Sequence, residues 1–397
     1  MSLSPQKQHK ILLLGATGYV GGSVLAHLLT SEDPSIQEAP ISVLVRGQGR
    51  AEKLAAAYRP RITVIPFDGL DDTELLAKLA EQHDLVINTG TGFHPPSAEA
   101  LVRGLASRMS QNPSVPRPWL IHTSGNSNIS DLPLTQSSHP DREWVDSDPE
   151  AIFAFEQAEQ EKLWYPQRAA ELIVLQAGEE TGVGVVSLQA PLIFGTGSGV
   201  FNQAGVMIPI VMGLVLEKGY GFVLGDGTGV LDKVHVSDLA DLYVHVVEDI
   251  VSNDGRNVPS GKKGIVFPEA GRVSIRQLVE DCLDMAFAAG HLPLPNGPQL
   301  VLPTVQSGTA VKPEPAVSKE IRRVDIKEAA MTVAGNEVVA ETGWAGHRLT
   351  KGVIAKERLG WRPTRFEDAW RKDLVDEMHF FLEGKRGVTI DSCIGVK

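Results

Sequence analysis

The chain has 397 residues and a formal net charge of −12, from 37 Lys and Arg against 49 Asp and Glu. This acidic balance argues against a nucleic-acid partner, because a phosphate backbone would be repelled. No apolar run is long enough to cross a bilayer and no secretory leader is visible, so the sequence predicts a cytoplasmic protein with no membrane partner.

The first half of the chain alternates short apolar runs with amphipathic segments. Runs of this kind, rich in Val, Ile and Leu, are typical of strands that are buried on both faces. Six of them are predicted as strands: residues 10–15, 41–47, 61–68, 84–90, 119–125 and 184–191. The alternation predicts an α/β fold with a doubly wound parallel Rossmann sheet. A further helix is predicted from Pro166, which suits a first helical position, to Gly178, which suits a stop.

The second half is rich in Gly and Pro, with helical patterns set between loops. Helices are predicted over residues 236–251, 274–290 and 365–384. We therefore expect a Rossmann domain over residues 1–195, with elements near 220–250 returning to it. A smaller, mostly helical substrate-binding portion is expected over residues 196–397. Residues 291–318 hold six prolines and are predicted as a loop-rich insert.

Cysteine and histidine positions argue against metal or disulfide chemistry. Cys282 and Cys393 show neither disulfide nor ligand spacing, and Cys282 falls on the apolar side of a predicted helix, so we expect it in the core. The eleven histidines include no paired metal-binding pattern, so no metal site is predicted. His94, just past the fourth strand, is either a substrate contact or a solvated loop residue. His122 and His235 are expected to be structural.

Gly15, Gly18 and Gly21 form a G-x-x-G-x-x-G pattern directly after the first predicted strand and at the start of a helix. Gly15 permits a tight turn, Gly18 lets the backbone approach a pyrophosphate, and Gly21 allows close helix packing. The helix N-terminus adds unpaired N–H groups and the positive end of its dipole. The alternative is an ordinary strand-to-helix turn. The residues predicted here to bind a dinucleotide are the three glycines with Thr17, Tyr19 and Val20.

The end of the second strand is expected to select the cofactor. An acidic side chain there would accept a hydrogen bond from the ribose 2′-hydroxyl of NAD, but this chain has Arg46, with Arg50 one turn later. A guanidinium pairs well with a 2′-phosphate, so NADP(H) is predicted, unless both arginines are solvated surface charges. Asp68, after the third strand, is either a contact to the adenine amino group or a plain turn residue. Three further cofactor candidates end the fourth strand: Asn88, Thr89 and Gly90.

Several motifs together resemble the extended, epimerase-like branch of the short-chain dehydrogenase/reductase superfamily. They are GATGYVGG at 15–22, FDG at 67–69, HTSG at 122–125, APLIFGTG at 190–197, VHVSDLADLY at 234–243 and LGWRP at 359–363. The pattern is most similar to fungal proteins labelled NAD-dependent epimerase/dehydratase. The resemblance implies an active site between a Rossmann domain and a smaller C-terminal domain, with Pro191 and Ile193 of the fourth motif against the cofactor.

The resemblance also implies a set of catalytic side chains. A Ser or Thr after the fifth strand would polarise a carbonyl and a Tyr would transfer a proton. A Lys four residues after that Tyr would lower the tyrosine pKa toward the operating pH. The candidates in this chain are Thr123, Ser124, Tyr165 and Arg168.

The chain departs from the family pattern at two positions. Gly125 stands where the family's hydroxyl is expected, and Ser127 could replace that hydroxyl only if the loop bends. Ala169 stands where a lysine should follow Tyr165. Arg168 would then supply a fixed positive charge that cannot titrate. The alternative is that Tyr165 is only a packing residue.

The predicted function is an NADP(H)-dependent oxidoreductase that acts on a small organic carbonyl, enone or imine, as a monomer or a homodimer. Two alternatives stay open. One is a non-redox isomerase or cyclase that uses bound NADP(H), and the other is a catalytically inactive NADP(H)-binding regulatory protein.

Overall fold

A computed structural model describes residues 9–292 and 319–385 of the chain. Cys393 and residues 293–318 of the predicted insert lie outside this part. The strands are β1 (Ile11–Leu14), β2 (Ile41–Val45), β3 (Ile62–Pro66), β4 (Leu85–Asn88), β5 (Trp119–Gly125), β6 (Glu143–Val145), β7 (Gly184–Ala190), β8 (Leu192–Phe194), β9 (Gly221–Leu224), β10 (Val230–His235), β11 (Ile265–Val266), β12 (Arg272–Ser274), β13 (Ile321–Val324) and β14 (Leu349–Lys351). The helices are α1 (Tyr19–Thr30), α2 (Pro34–Glu38), α3 (Gln48–Tyr58), α4 (Thr73–Glu81), α5 (Pro95–Gln111), α6 (Pro149–Lys162), α7 (Pro166–Thr181), α8 (Met207–Lys218), α9 (Val236–Asn253), α10 (Ile275–Ala288), α11 (Ile326–Ala329), α12 (Glu337–Trp344), α13 (Ile354–Glu357) and α14 (Glu367–Leu382).

Seven strands form one parallel sheet in the order β11-β7-β5-β4-β1-β2-β3. Leu13 at the centre of β1 lies opposite Val43 on β2 and Ile87 on β4. The predicted doubly wound α/β fold and its six strands are therefore confirmed. The sequence pattern misses the seventh strand, β11, because Ile265 and Val266 are too short a run to show a period; they pair with β7.

Helices cover both faces of this sheet. Ile11 and Leu13 pack into one apolar cluster with α1, α3 and α9. Leu12 and Leu14 pack into a second cluster with α4, α5 and α7 on the other face. Successive side chains of a strand point to opposite faces, so a strand covered on both sides favours apolar residues at every position, as in the ILLL run of β1.

The C-terminal elements build two further clusters. In the third, α8, α10 and α14 pack against the small sheet β8–β10–β12. Cys282 on α10 is completely buried in it, which confirms its predicted place in the core. The fourth cluster joins Tyr165 to α11 and α12, so C-terminal elements pack directly against the start of α7.

Helix α7 differs from its predicted extent. It begins at Pro166 as expected but continues past Gly178 to Thr181, and the prediction of a stop at Gly178 is wrong. The stop is Gly182, which takes the left-handed conformation with φ 81°. Gly178 instead allows close packing on β7, since a Cβ there would lie 2.6 Å from Val185.

Candidate functional site

The glycine motif forms the turn between β1 and α1 at the carboxyl edge of the sheet. Gly15 has φ 90° and a Cβ there would overlap the carbonyl oxygen of Thr89. A Cβ on Gly21 would overlap both the Gly15 carbonyl and the Thr89 hydroxyl. The Thr89 Oγ1 donates to the Leu14 carbonyl at 2.5 Å, which fixes β4 beside this turn. The first and last glycines are therefore required by packing.

Gly18 differs because no side chain of residues 9–292 or 319–385 fills the space above it. It is the residue that caps α1, in extended conformation with φ −88°, and a Cβ there would meet only the Gly15 carbonyl oxygen, at 3.2 Å. Within the described part of the chain, no side chain caps the N-terminus of α1. The turn is thus a cradle with free backbone N–H groups and room for a phosphate, which fits the pyrophosphate of a dinucleotide.

The other predicted cofactor residues line the same edge. Arg46 follows β2 and is exposed, as is Arg50, whose Nε donates to the Arg46 carbonyl at 2.8 Å. Asp68 is exposed after β3. Asn88 is buried and its amide lies 3.2 Å from the His122 ring. Thr17 lies in the motif turn and Val20 in the first turn of α1. Gly90 comes after β4 and lies against Gly15.

Residues 195–205, which we call the cover loop, lie on top of α1. The Tyr19 hydroxyl donates to the Gly195 carbonyl at 2.5 Å, and the Ser198 backbone N–H donates to the Ser23 hydroxyl at 3.2 Å. Pro191 and Ile193 precede this loop, between β7 and the end of β8. The side chain of Tyr19 therefore binds the cover loop, and only its backbone N–H could contact a phosphate.

Two buried carboxyl groups of α14 support the cover loop from below. Glu377 accepts a hydrogen bond from the Gly205 N–H at 3.0 Å, and Asp373 lies one helical turn earlier. Burial raises the pKa of Asp373 to about 7. Burial and the Asp373 charge raise the pKa of Glu377 to about 8. The pair is thus partly protonated near neutral pH, and its two members titrate together.

Thr123 and Ser124 point into the protein rather than sharing one reacting centre. The Thr123 hydroxyl is 2.5 Å from the Tyr243 hydroxyl on α9, and Ser124 donates to Glu171 on α7 at 2.9 Å. Successive residues of a strand face opposite sides, so these two hydroxyls reach opposite helical layers. Gly125, at the end of β5, carries no side chain of its own toward the cleft.

Ser127 reaches the place that Gly125 leaves open, because the chain bends into a 3₁₀ turn over Asn126–Ile129. Its hydroxyl lies 3.1 Å from the Tyr165 hydroxyl and donates to the Gln167 amide oxygen at 2.5 Å. Ser127 is only half-buried. From the sequence, Ser127 could replace the family's hydroxyl only if this loop bends, and the loop does bend here.

Gln167 is a site residue that the sequence patterns did not single out. A Cβ on Gly125 would lie 2.9 Å from its amide group, and a Cβ on Gly92 would lie 3.4 Å from its amide nitrogen. The Gln167 amide thus occupies the space between β4 and β5 at the carboxyl edge. One sequence feature could have pointed to Gln167: it lies in the first turn of the predicted helix, two residues after Tyr165. The family pattern directs attention instead to the residue four positions after the tyrosine.

Tyr165 is 2% exposed and its ring packs edge-on against Phe93, with ring centroids 6.1 Å apart. Burial raises the pKa of its phenol, while the Ser127 hydroxyl, the Arg348 charge and, more weakly, the Arg168 charge act in the opposite direction. A phenol buried in this way is a poorer acid than a free tyrosine. Tyr165 combines the packing and polar roles that the sequence left as alternatives.

Arg168 lies behind the site, inside the protein. Its Nε donates to the Asn128 carbonyl at 3.0 Å and its guanidinium carbon lies 5.6 Å from the centre of the Tyr165 ring. Burial lowers the pKa of this guanidinium, and the Glu156 charge acts in the opposite direction. Arg168 therefore balances buried carboxylates beneath the site.

The remaining histidines of interest serve the fold. His94 caps α5 by accepting from the Ser97 N–H at 3.2 Å, and its other ring nitrogen lies 3.1 Å from Asp71. His122 is completely buried, which lowers its pKa to about 4. His235 caps α9 through the Ser237 N–H at 3.1 Å.

Two stretches of the chain match known families. Residues 11–103 match the saccharopine dehydrogenase NADP-binding domain, and residues 164–258 match the NAD-dependent epimerase/dehydratase family. A relative described as Oxidase ucsJ, from Acremonium sp, is 27% identical over 368 residues, covering 89% of this chain and 92% of that protein.

Solved structures of sugar-nucleotide enzymes share the fold. A dTDP-glucose 4,6-dehydratase from Streptomyces venezuelae, with NAD and TYD bound, is 16% identical, with a TM-score of 0.59 over 95% of this chain and 98% of that one. A UDP-glucuronic acid 4-epimerase from Bacillus cereus with NAD is 13% identical, with a TM-score of 0.56 over 95% of this chain and 100% of that one. The predicted resemblance to the extended short-chain dehydrogenase/reductase type is confirmed, and the chain carries a Rossmann fold in which two stretches match NAD(P)-dependent families.

Two further features concern residues 9–292 and 319–385. None of the helices there combines the length and apolar character that a membrane span needs. Nor do these residues bring together three or more His, Cys, Asp or Glu side chains that could hold a metal ion.

Proposed function

We propose that the protein is an NADP(H)-dependent oxidoreductase that acts on a small organic carbonyl, enone or imine. The observation that carries the proposal is the placement of the Ser127 hydroxyl and the Gln167 amide together beside Gly125 and Gly92. This places hydrogen-bond donors at the sheet edge where the reactive end of a Rossmann-bound cofactor is expected. The relative described as an oxidase supports redox chemistry.

One group of residues would bind the cofactor, and a second group would polarise the substrate. NADPH, when bound, supplies the hydride. The Gly15–Gly21 turn would hold the pyrophosphate of NADPH, and Arg46 and Arg50 would hold its 2′-phosphate. Ser127 holds the Gln167 amide oxygen, and the Gln167 amide N–H would donate a hydrogen bond to the substrate oxygen or nitrogen as negative charge develops there. Water or a cleft residue provides the proton.

The test of the function is NADPH consumption with a panel of small aldehydes, ketones, enones and imines. We expect steady loss of the reduced-nicotinamide absorbance with at least one class and recovery of the reduced product. Product formation with no change in that absorbance would favour the isomerase alternative. Tight NADPH binding with no product from any class would favour a regulatory protein.

The cofactor preference depends on the arginines after β2. We expect NADPH to bind more tightly than NADH, and Arg46→Ala to remove most of that difference. One charge-assisted contact contributes about 1.5–3 kcal/mol, or roughly ten- to a hundredfold in affinity. Calorimetry with both cofactors measures this, with Arg371→Ala, an exposed arginine of α14, as control. Equal affinity of the wild type for NADPH and NADH would contradict the assignment.

Tyr165 is expected to contribute little as an acid. Its phenol is buried, its pKa is raised, and no lysine lies near it in the family position. Tyr165→Phe should therefore reduce turnover at saturating NADPH by less than roughly tenfold, below the 10²–10⁴-fold typical of a lost general acid. Tyr220→Phe is the control, since Tyr220 stacks with Arg322 outside this cleft. A thousandfold loss with unchanged NADPH affinity would show that Tyr165 is the acid.

A further inference from the structure

Arg348 is a buried cation that lacks a carboxylate partner in the described part of the chain. It is 8% exposed, and among residues 9–292 and 319–385 it forms no ion pair. One terminal nitrogen donates to the Gly343 carbonyl at 3.2 Å, at the end of α12, but Nε has no acceptor within the same residues. An uncompensated charge in the interior is costly unless a ligand neutralises it.

The nearest candidate partner within the fold is already engaged. Asp232 acts electrostatically on Arg348, yet one of its oxygens accepts from Arg272 Nε at 2.8 Å. Its other oxygen accepts from the Thr350 hydroxyl at 2.6 Å. These bonds hold the carboxylate toward Arg272 and Thr350, and Asp232 forms no direct ion pair with Arg348.

The charge of Arg348 lies next to the candidate active site. It acts on the Tyr165 phenol, which also interacts with the Thr342 hydroxyl and lies 3.1 Å from Ser127. The same segment holds a second buried donor without a partner in the described residues, Trp344 Nε1. Trp344 belongs to the apolar cluster that contains Tyr165. Indole N–H and guanidinium groups can only donate hydrogen bonds. The region around Tyr165 and Arg348 therefore has more buried donors than acceptors.

We propose that Arg348, together with the Tyr165 hydroxyl, binds a carboxylate group of the substrate. The inference rests on the proposed function and narrows it to carbonyl, enone or imine compounds that carry a carboxylate. A guanidinium pairs with a carboxylate through well-directed hydrogen bonds, and burial strengthens the contact because water does not screen it. The reactive group of such a substrate would then lie toward Ser127, the half-buried member of the set.

The test compares probes of equal shape and different charge on the NADPH complex. We measure binding of benzoate against benzamide, and of acetate against acetamide, by calorimetry. The wild type should favour each carboxylate over its amide by roughly ten- to a hundredfold. Arg348→Gln keeps a donor for Gly343 but lacks the charge, and it should lose the preference, whereas Arg348→Lys should keep part of it. Arg322→Gln, an exposed arginine outside the cleft, is the matched control.

The outcomes separate this inference from the proposed function. Equal binding of carboxylate and amide by the wild type overturns the inference, whether or not Arg348→Gln folds, and NADPH-dependent reduction of neutral carbonyls would leave the function standing. A preference that persists in Arg348→Gln also overturns it. A carboxylate preference that depends on Arg348, in a protein that turns over no substrate with NADPH, supports the anion site while contradicting the reductase.

Discussion

Gly18→Val should abolish measurable NADPH binding while the protein stays folded. A branched side chain there would fill the open cradle above α1, where the fold itself places only the Gly15 carbonyl, 3.2 Å from a Cβ. Loss of two charge-assisted backbone contacts to the pyrophosphate, at about 1.5–3 kcal/mol each, corresponds to roughly 10²–10⁴-fold in affinity. Calorimetry with NADPH measures the loss, and circular dichroism measures the fold.

Two matched variants make this result specific. Gly49→Val places the same side chain on α3, where a Cβ meets no atom within 4 Å, and should keep both fold and NADPH affinity. Gly21→Val should destabilise the protein, since its Cβ would overlap the Gly15 carbonyl and the Thr89 hydroxyl. Normal NADPH affinity in Gly18→Val would mean that the glycine turn is not the cofactor site.

The second large effect is a pH dependence of stability that comes from Asp373 and Glu377. Their pKa values in the folded protein, about 7 and about 8, lie above the ordinary values of 3.8 and 4.5. The folded state therefore binds protons more tightly than the unfolded state. The stabilisation is fully present below about pH 4 and is lost as the pH rises through 7 and 8.

Asp373→Asn should remove much of this dependence, because the amide stays neutral and no longer raises the pKa of Glu377. Between pH 5 and pH 9 we expect the free energy of unfolding of the wild type to fall by about 2–4 kcal/mol more than that of the variant. Urea unfolding across this range measures the difference. Asp368→Asn, an exposed residue of the same helix, should follow the wild type. Parallel curves for wild type and Asp373→Asn would exclude the buried pair as the cause.

Much of the fold was predictable because its signals are local. Each strand of the main sheet longer than two residues shows as a mostly apolar run, since burial on both faces favours apolar residues. The boundary of α7 was less predictable. Gly178 and Gly182 are both plausible stops, and only the contact of Gly178 with Val185 reserves the first for packing.

The candidate catalytic groups were less predictable than the cofactor turn. Thr123 and Ser124 have suitable chemistry and position, yet the alternation of β5 directs them to Tyr243 and Glu171 in opposite layers. Arg168 has the right charge near Tyr165, but it lies among buried carboxylates. Residue type and spacing along the chain do not specify which side chains share a cavity.

The sequence by itself determined the α/β class, six strands of the parallel sheet and the glycine turn at Gly15–Gly21. Each of these features is encoded by residues within about 30 positions of one another, either as a hydrophobic period or as a strand–turn–helix motif. Only the tertiary structure brought Ser127, Gln167 and Arg348 to Tyr165, from a 3₁₀ turn, a helix start and a segment more than 180 residues later. Such a group depends on how separate elements pack, which no local pattern records.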